Sequence, residues 1–420
     1  MPTPWRWTLS VGVVSPNSED ATISPSVNNS GPIWISDSGL VAGFSENGVI
    51  DPLTGFPEFQ AVLFKRMAVI NLGTFGGNES IATGVNNRGR VVGCATTSTP
   101  DPFNLRWCLG VPQQTRAFIW DGAGMKDLGT LGGPDAFAEL VNDRGQVAGW
   151  SLTDSTVNPA TGTPTQHLFL WEKGKMRDLG TIGGTAVQIL NDLNERGQFV
   201  GSMNVAGDQS FHPFLWDGTS LKDLGTLGGD WGSADWVNEK GQVVGWAFTT
   251  TNEASHAFLW RDGRMTDLGT VDGDPNSIAY GINSAGQVVG SSQDNGFNFV
   301  HAFLWERGSI ADLNALIPAD SGVQLNAAPG INERGEIVAQ GVVLLSGDTH
   351  AFLLIPCDDD HRDIEDCDYD MVDGSDMPAT QMATTAKPVL SPDSIRQLMQ
   401  SAGRRSKPWY RGFGAQTQPK

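Results

Sequence analysis

Val85-Asn86-Asn87-Arg88-Gly89-Arg90-Val91-Val92-Gly93 is a turn flanked by apolar residues, and the phrase returns along most of the chain. It recurs at Val141 to Gly149, Leu193 to Gly201, Val237 to Gly245 and Ile282 to Gly290. Degenerate copies run from Ile35 to Gly43 and from Ile331 to Ala339. The turn glycines stand at 39, 89, 145, 197, 241, 286 and 335, a spacing of 44 to 56 residues. A period of that size marks a solenoid or a propeller, and it takes precedence over local propensity.

Two further phrases complete the unit. One leads with His167, His212, His256, His301 or His350 and continues through Phe-Leu; most copies end in Trp, as at Trp171, Trp216, Trp260 and Trp305. The other reads Asp-Leu-Gly-Thr-Leu-Gly-Gly, as in Asp127 to Gly133 and Asp223 to Gly229. Val-Val, Phe-Leu-Trp and Met-x-Asp-Leu are short β-type runs bounded by Gly, Asn and Asp. Asn-Asp-Arg-Gly reads as a type I turn closed by a left-handed glycine. Asp262-Gly263 reads as a two-residue hairpin turn of type I′. Nothing in the unit has the period of an amphipathic helix. Each unit thus supplies about four strands, the content of one propeller blade.

The expected fold is therefore an all-β propeller of seven four-stranded blades over residues 1–356. The seventh unit stops at His350-Ala351-Phe352-Leu353-Leu354-Ile355 without the Asp-Leu-Gly strand. Trp5 to Val11 is strand-like and belongs to no unit. That N-terminal strand is expected to complete the last blade and remove its open edge.

The histidine phrase and the Asp-Leu-Gly-Thr-Leu-Gly-Gly phrase resemble the HAF repeat, named for His-Ala-Phe and described as a probable extracellular repeat of bacterial proteins. The resemblance covers roughly residues 30 to 356. It implies an exported bacterial β protein and no particular activity. Unit one departs from it, because Ala61-Val62-Leu63-Phe64 lacks the His and the Trp. Unit seven lacks the third phrase.

The formal net charge of −20 argues against a nucleic-acid partner, since phosphate binding needs a basic face. No apolar run approaches the length of a membrane-spanning helix. Two of the four cysteines, Cys94 and Cys108, flank the long insertion of unit two, and Cys357 and Cys367 flank an acidic stretch. Two local pairs suit two loop-stapling disulfides in an oxidising compartment, each contributing about 2–3 kcal/mol. Neither pair has the spacing of a zinc site. Met1 to Val14 carries one arginine and no long apolar run, so it does not read as a signal peptide. The start then lies upstream, has been removed, or the chain is not exported. Residues 357–420 read as an acidic stapled loop followed by a disordered tail with one short helix near Ser391-Pro392-Asp393.

Repetition decides how the histidines are read. His167 and Asp178 are 11 residues apart, as are His212 and Asp223, His256 and Asp267, and His301 and Asp312. Folded on the hairpin, each pair is diagonally adjacent on one sheet face. Copies in successive blades face different directions and cannot converge on one substrate, so they are expected to be scaffold. Truncating His256 is expected to cost about 1–3 kcal/mol, as for an unpaired buried partner. Trp120, Trp171, Trp216, Trp260 and Trp305 are expected to fill the core between blades.

Function is sought where the repeat breaks. The joins between second and third strands are long in units one to three, at Glu46 to Gln60, Ala95 to Arg116 and Ser151 to Gln166. They emerge on the face that carries the blade-to-blade crossings, and such loops concentrate binding residues. Phe103 and Trp107 lie in the Cys94–Cys108 loop, and Trp231, Asp235 and Trp236 mark an unusual crossing. These five are the ligand-binding candidates. Asp272, Asp274 and Asn276 alternate oxygen donors and form a calcium candidate without the spacing of an EF-hand loop. No other cofactor is expected. No nucleophile elbow, zinc-protease motif or phosphate loop is present. The expected function is a secreted, monomeric binding or structural module holding a protein or carbohydrate partner on the long-loop face. The alternative is a glycoside hydrolase or lyase on the same fold. A close set of nonrepeat carboxylates at the axis would favour the enzyme.

Overall fold

The computed structural model describes residues 7–10, 30–65, 68–103, 108, 111–159 and 161–356. Over them the chain is a β-propeller built from seven four-stranded antiparallel blades. It divides into two compact units. Residues 14–268 hold blades one to five, and residues 1–13 with 269–420 hold blades six and seven.

Blade three shows how the repeat folds. Its strands are Ala136–Val141, Val147–Val157, Pro164–Glu172 and Lys175–Gly180. The turn phrase joins the first two: Gly145 N–H donates to Asn142 O at 2.9 Å, with Gly145 at φ +79°. Lys173 and Gly174 at φ +51° and +83° make the type I′ turn between the third and fourth strands. Asp262-Gly263 repeats it at +53° and +80°. Phe169 of the histidine phrase is fully buried, as are Phe118, Phe214, Phe258, Phe303 and Phe352. The second glycine of the turn phrase is required there. A methyl group at Gly149 would collide with the Phe137 carbonyl oxygen and the Phe169 ring.

The first strand of nearly every blade carries a β-bulge at one position. Its register with the second strand skips Ile33, Thr83, Glu139, Asn191, Asp235 and Tyr280. A bulge re-aims the skipped side chain.

The core lies between successive blades. One cluster joins Leu140, Ala148, Trp150 and Leu168 of blade three to Leu190, Phe199, Phe214 and Trp216 of blade four. Trp171, Trp216 and Trp305 are buried as expected, whereas Trp120 and Trp260 are only partly buried against the inter-blade core. Cations from the preceding blade cover the rings, with Lys126 over Trp171, Arg177 over Trp216 and Lys222 over Trp260. Blades four and five share one further link, a parallel pairing of Phe211 with Trp231.

In the second unit, Trp7–Ser10 adds to the last blade antiparallel to Thr349–Pro356, with Trp7 opposite Pro356 and Ser10 opposite Leu353. The N-terminal strand thus supplies the strand that unit seven lacks. Cys94 and Cys108 are joined in a disulfide with Cα atoms 6.1 Å apart. Trp107, Cys357, Cys367 and the whole segment 357–420 lie outside the described residues.

Candidate functional site

The repeat itself turns out to be an inter-blade adhesive. Asn142 Nδ2 donates to Gln146 Oε1 at 2.8 Å and to Asn194 O of the next blade at 3.0 Å, while Oδ1 accepts from Gln146 N. Asn86 reaches Asn142 O and Asn194 reaches Asn238 O in the same way. In the second unit Asn283 reaches Asn332 O. The residue after each Asn adds a second row, since Asn87 N donates to Asp143, Asp143 N to Glu195 and Glu195 N to Glu239. These contacts explain why Asn is kept when other residues could make the turn.

The histidine–aspartate pairs form in blades three to five. Nδ1 of His167, His212 and His256 lies 2.8–3.0 Å from the carboxylates of Asp178, Asp223 and Asp267. They are surface pairs, however. The Asp267 side chain is 44 % exposed and that of His256 24 %. The expected 1–3 kcal/mol cost of truncating His256 is therefore corrected downward, because water re-solvates both partners. His350 has no such pair; its ring packs edge-on against Phe352. Blade six also departs from expectation: His301 Nδ1 is 2.8 Å from Asp274 of the crossing, not paired with Asp312. The expectation failed there because a local spacing of 11 residues does not register a nonrepeat crossing that brings in a competing carboxylate.

Buried carboxyls are numerous, and they act as pins. Glu79 Oε2 accepts from Phe59 N of the preceding blade, and Asp135 Oδ1 from Thr115 N. Glu139 accepts from Trp150 Nε1 and from Leu190 N of the next blade, and Asp192 from Val237 N. Burial pushes the Glu79 carboxyl up to about 8, with Asp51 and Glu58 adding to the rise. Burial likewise raises Asp135, Glu139 and Asp192 to about 7. Each of these four engages a backbone N–H across a blade boundary, which is the chemistry of a brace.

Asp235 differs from them. Burial raises it to about 7 as well. Its donor is a side chain, Asn191 Nδ2 at 3.1 Å, which also reaches Ser233 Oγ and Ala234 O. Ser233 stands opposite Trp246 in the ladder. Around that point four half-exposed aromatic rings meet at the seam of blades four and five. Trp231 packs edge-on against Phe248 at 5.6 Å, Phe248 against Trp246 at 5.9 Å, and Trp246 against Phe211 at 6.3 Å. Polar groups flank them. Asp230 N donates to Asn252 Oδ1, and Asn252 Nδ2 to Asp230 Oδ2. On the blade-four side, Asn204 stands opposite Phe211 and bonds Gln188 and Asp208, and Asp208 in turn holds Thr185. The seam lies at the crossing end of these blades, the end that also bears the long loops of units one to three.

Of the five ligand candidates, Trp231 is in the aromatic seam, and Asp235 lies further along the same strand, at the bulge, bonded to Asn191 Nδ2. Trp236 is 39 % exposed, nearer the turn end of the same strand. Phe103 is half-buried in the disulfide loop, where its N–H donates to Asp101 Oδ1 at 2.9 Å. Phe211, Trp246 and Phe248 were not singled out from sequence. The usable signal was the residue after the second glycine of the turn phrase. It is Phe44, Trp150 and Trp246 in blades one, three and five but Cys94, Ser202, Ser291 and Gln340 elsewhere.

The calcium candidates separate. Asn276 Nδ2 donates to Asp294 O, and Asp274 holds His301. Asp272 instead lies with His301 and Asp312, one donor atom of each falling within 4.8 Å of the others. At the turn end of blades four and five, an open cleft of about 560 Å³ is lined by Asp217, Lys222, Lys240, Trp260 and Arg261. Its walls come from the turns present in every blade.

The chain is similar in structure to the β-propeller domain of the Trilobed protease from Pyrococcus furiosus, at 9 % identity over 77 % of this chain and 97 % of that one, with a TM-score of 0.41. It is similar to the acylaminoacyl peptidase of Pyrococcus horikoshii at 10 % identity over 80 % of this chain and 52 % of that one, TM-score 0.41. A gluconolactonase from Xanthomonas campestris gives 9 % identity over 85 % and 98 %, TM-score 0.30. No family model and no curated protein matches the sequence. The blade assignment stands on the strand pairing itself.

Proposed function

We propose that this β-propeller is an exported binding module that holds a carbohydrate on its crossing face, with the aromatic seam of Phe211, Trp231, Trp246 and Phe248 as the contact surface. The observation that carries this is the seam: four half-exposed rings gathered at one blade boundary and flanked by two amide–carboxylate networks. Apolar faces rimmed by a few fixed polar groups suit a ligand that is apolar on its ring faces and hydroxylated at its edges. Rings outside the core of a soluble protein are ordinarily scattered singly, so their clustering points to use. Export is supported by the Cys94–Cys108 bridge, which belongs to an oxidising compartment.

The alternative, a polysaccharide-cleaving enzyme on the same fold, needs two carboxyls in acid and base roles beside one bond. Glu79, Asp135, Glu139 and Asp192 are each engaged by a backbone N–H of a neighbouring blade, and beside the seam Asp208 and Asp230 are each held by an asparagine amide, which favours binding over acid–base roles. Screening immobilised polysaccharides for retention, with product analysis on the same samples, separates the two readings. Retention without new reducing or unsaturated ends is expected. Turnover would favour the enzyme, and neither retention nor turnover on any glycan would refute the carbohydrate assignment.

A further inference from the structure

Blade six breaks the repeat twice, and both breaks meet at one place. The crossing into it reads Val271-Asp272-Gly273-Asp274-Pro275 where other units carry Leu-Gly-Gly. Its fourth strand, Ser309–Asp312, ends in Asp312-Leu313-Asn314 in place of Asp-Leu-Gly. In blades three to five the histidine is held by the aspartate of its own fourth strand. In blade six the imidazole Nδ1 is held by Asp274, whose side chain is 15 % exposed. Asp312 is thereby released from the histidine. Its Oδ1 caps a single 3₁₀ turn, accepting from Asn314 N and Asn314 Nδ2. Asp272, exposed and in the left-handed region at φ +50°, is the third member.

Three carboxylates and an imidazole therefore gather at one place. Among the described residues no lysine or arginine pairs with any of the four. The surplus of negative charge calls for a cation. The donor set selects which one. Calcium takes oxygen ligands, whereas an imidazole with two carboxylates suits zinc and its neighbours. Zinc ligands sit about 2.0–2.2 Å from the ion, so donor atoms about 3.3–3.6 Å apart are needed. The donor atoms of Asp272, His301 and Asp312 lie within 4.8 Å of one another, so an ion would have to draw them about 1 Å closer.

We propose that Asp272, His301 and Asp312 bind a divalent transition-metal ion of the zinc class. Asp274 keeps the Nδ1 proton and orients the ring, so that Nε2 ligates. This is the carboxylate–histidine–metal arrangement in which an outer carboxylate fixes the tautomer and raises ligand basicity. Three protein ligands at an accessible site leave the fourth position to water. The ion would tie the crossing segment to the third and fourth strands of blade six, replacing the histidine–aspartate clasp that blades three to five use. It is independent of the aromatic seam.

Equilibrium dialysis of the full chain against Zn²⁺, after chelator stripping, tests this with metal content read directly. One tightly held Zn²⁺ per chain is expected, displaced poorly by equimolar Ca²⁺. Asp272→Asn lies at an exposed position and should fold normally. It and His301→Gln should each weaken binding at least ~100-fold, while Asp274→Asn should weaken it about 10–100-fold, as outer-shell changes do. His256→Ala should leave the tightly held ion in place. Zn²⁺ should raise the melting temperature of the wild type and not of Asp272→Asn. A wild type that retains no Zn²⁺, or retention equally strong in Asp272→Asn and Asp312→Asn, would overturn the proposal.

Discussion

Replacing Asn142 by alanine should destabilise the propeller by about 3 kcal/mol. The side chain is 3 % exposed, so water cannot readily take its place. Truncation removes both hydrogen bonds from Nδ2 and the one accepted by Oδ1. It orphans the N–H and the Oε1 of Gln146, a residue 6 % exposed, while the Asn194 carbonyl in blade four keeps the Gly197 N–H. Each buried polar group left without a partner costs about 1–3 kcal/mol, and two such groups set the figure. Asn142→Asp is the sharper variant. It keeps the acceptor for Gln146 N but turns a carboxylate oxygen toward Gln146 Oε1 and Asn194 O, so it should be at least as harmful. Lys175→Ala, on an exposed strand, is the control and should stay within about 0.5 kcal/mol. Denaturant unfolding monitored by tryptophan fluorescence gives all three numbers. If Asn142→Ala lost less than about 1 kcal/mol, inter-blade adhesion by the repeat asparagines would be wrong.

His256→Ala should cost under about 1 kcal/mol by the same assay, since an exposed ion pair contributes little; a loss of 3 kcal/mol would show the pair to be buried in function. Stability should fall as pH rises from 5 to 8.5. Glu79, Asp135, Glu139, Asp192 and Asp235 have folded values raised above their unfolded ones, so their stabilising effect is complete at low pH and is lost as pH passes through about 7 to 8. Thermal melts across that range should show the slope, and Glu79→Gln should flatten it. Deleting residues 1–14 should lower the melting temperature markedly, because the last blade loses the strand Trp7–Ser10; an unchanged melt would refute that pairing's importance. Reducing Cys94–Cys108 should cost about 3 kcal/mol for its 14-residue separation, read from melts with and without reductant.

Architecture was legible in the sequence because each blade repeats the same turns. A left-handed glycine at 145 and a type I′ Asp262-Gly263 have few alternative meanings, and the spacing counts the blades. The diagonal of His256 and Asp267 followed from folding one hairpin. What escaped was whatever depends on the neighbouring blade. Asn142 reads as a turn residue, and its second bond goes to Asn194, 52 residues away. Glu139 looks like an ordinary strand acid until the bulge aims it at Leu190 N. Phe211 and Trp246 come from different blades, and their meeting depends on inter-blade packing that no local period encodes. His301 was misassigned for the same reason, since Asp274 arrives from a crossing whose path only the fold determines.

Retention of the wild-type chain and of Trp231→Ala on a carbohydrate panel tests the central claim most directly. Trp231 contributes a ring to the seam without being buried in the core, so the variant should keep its melting temperature within a few degrees. The account requires the wild type to bind at least one glycan class and Trp231→Ala to lose that binding by about tenfold or more, about 1.4 kcal/mol. Undiminished binding by Trp231→Ala would move the ligand away from the seam and contradict the account.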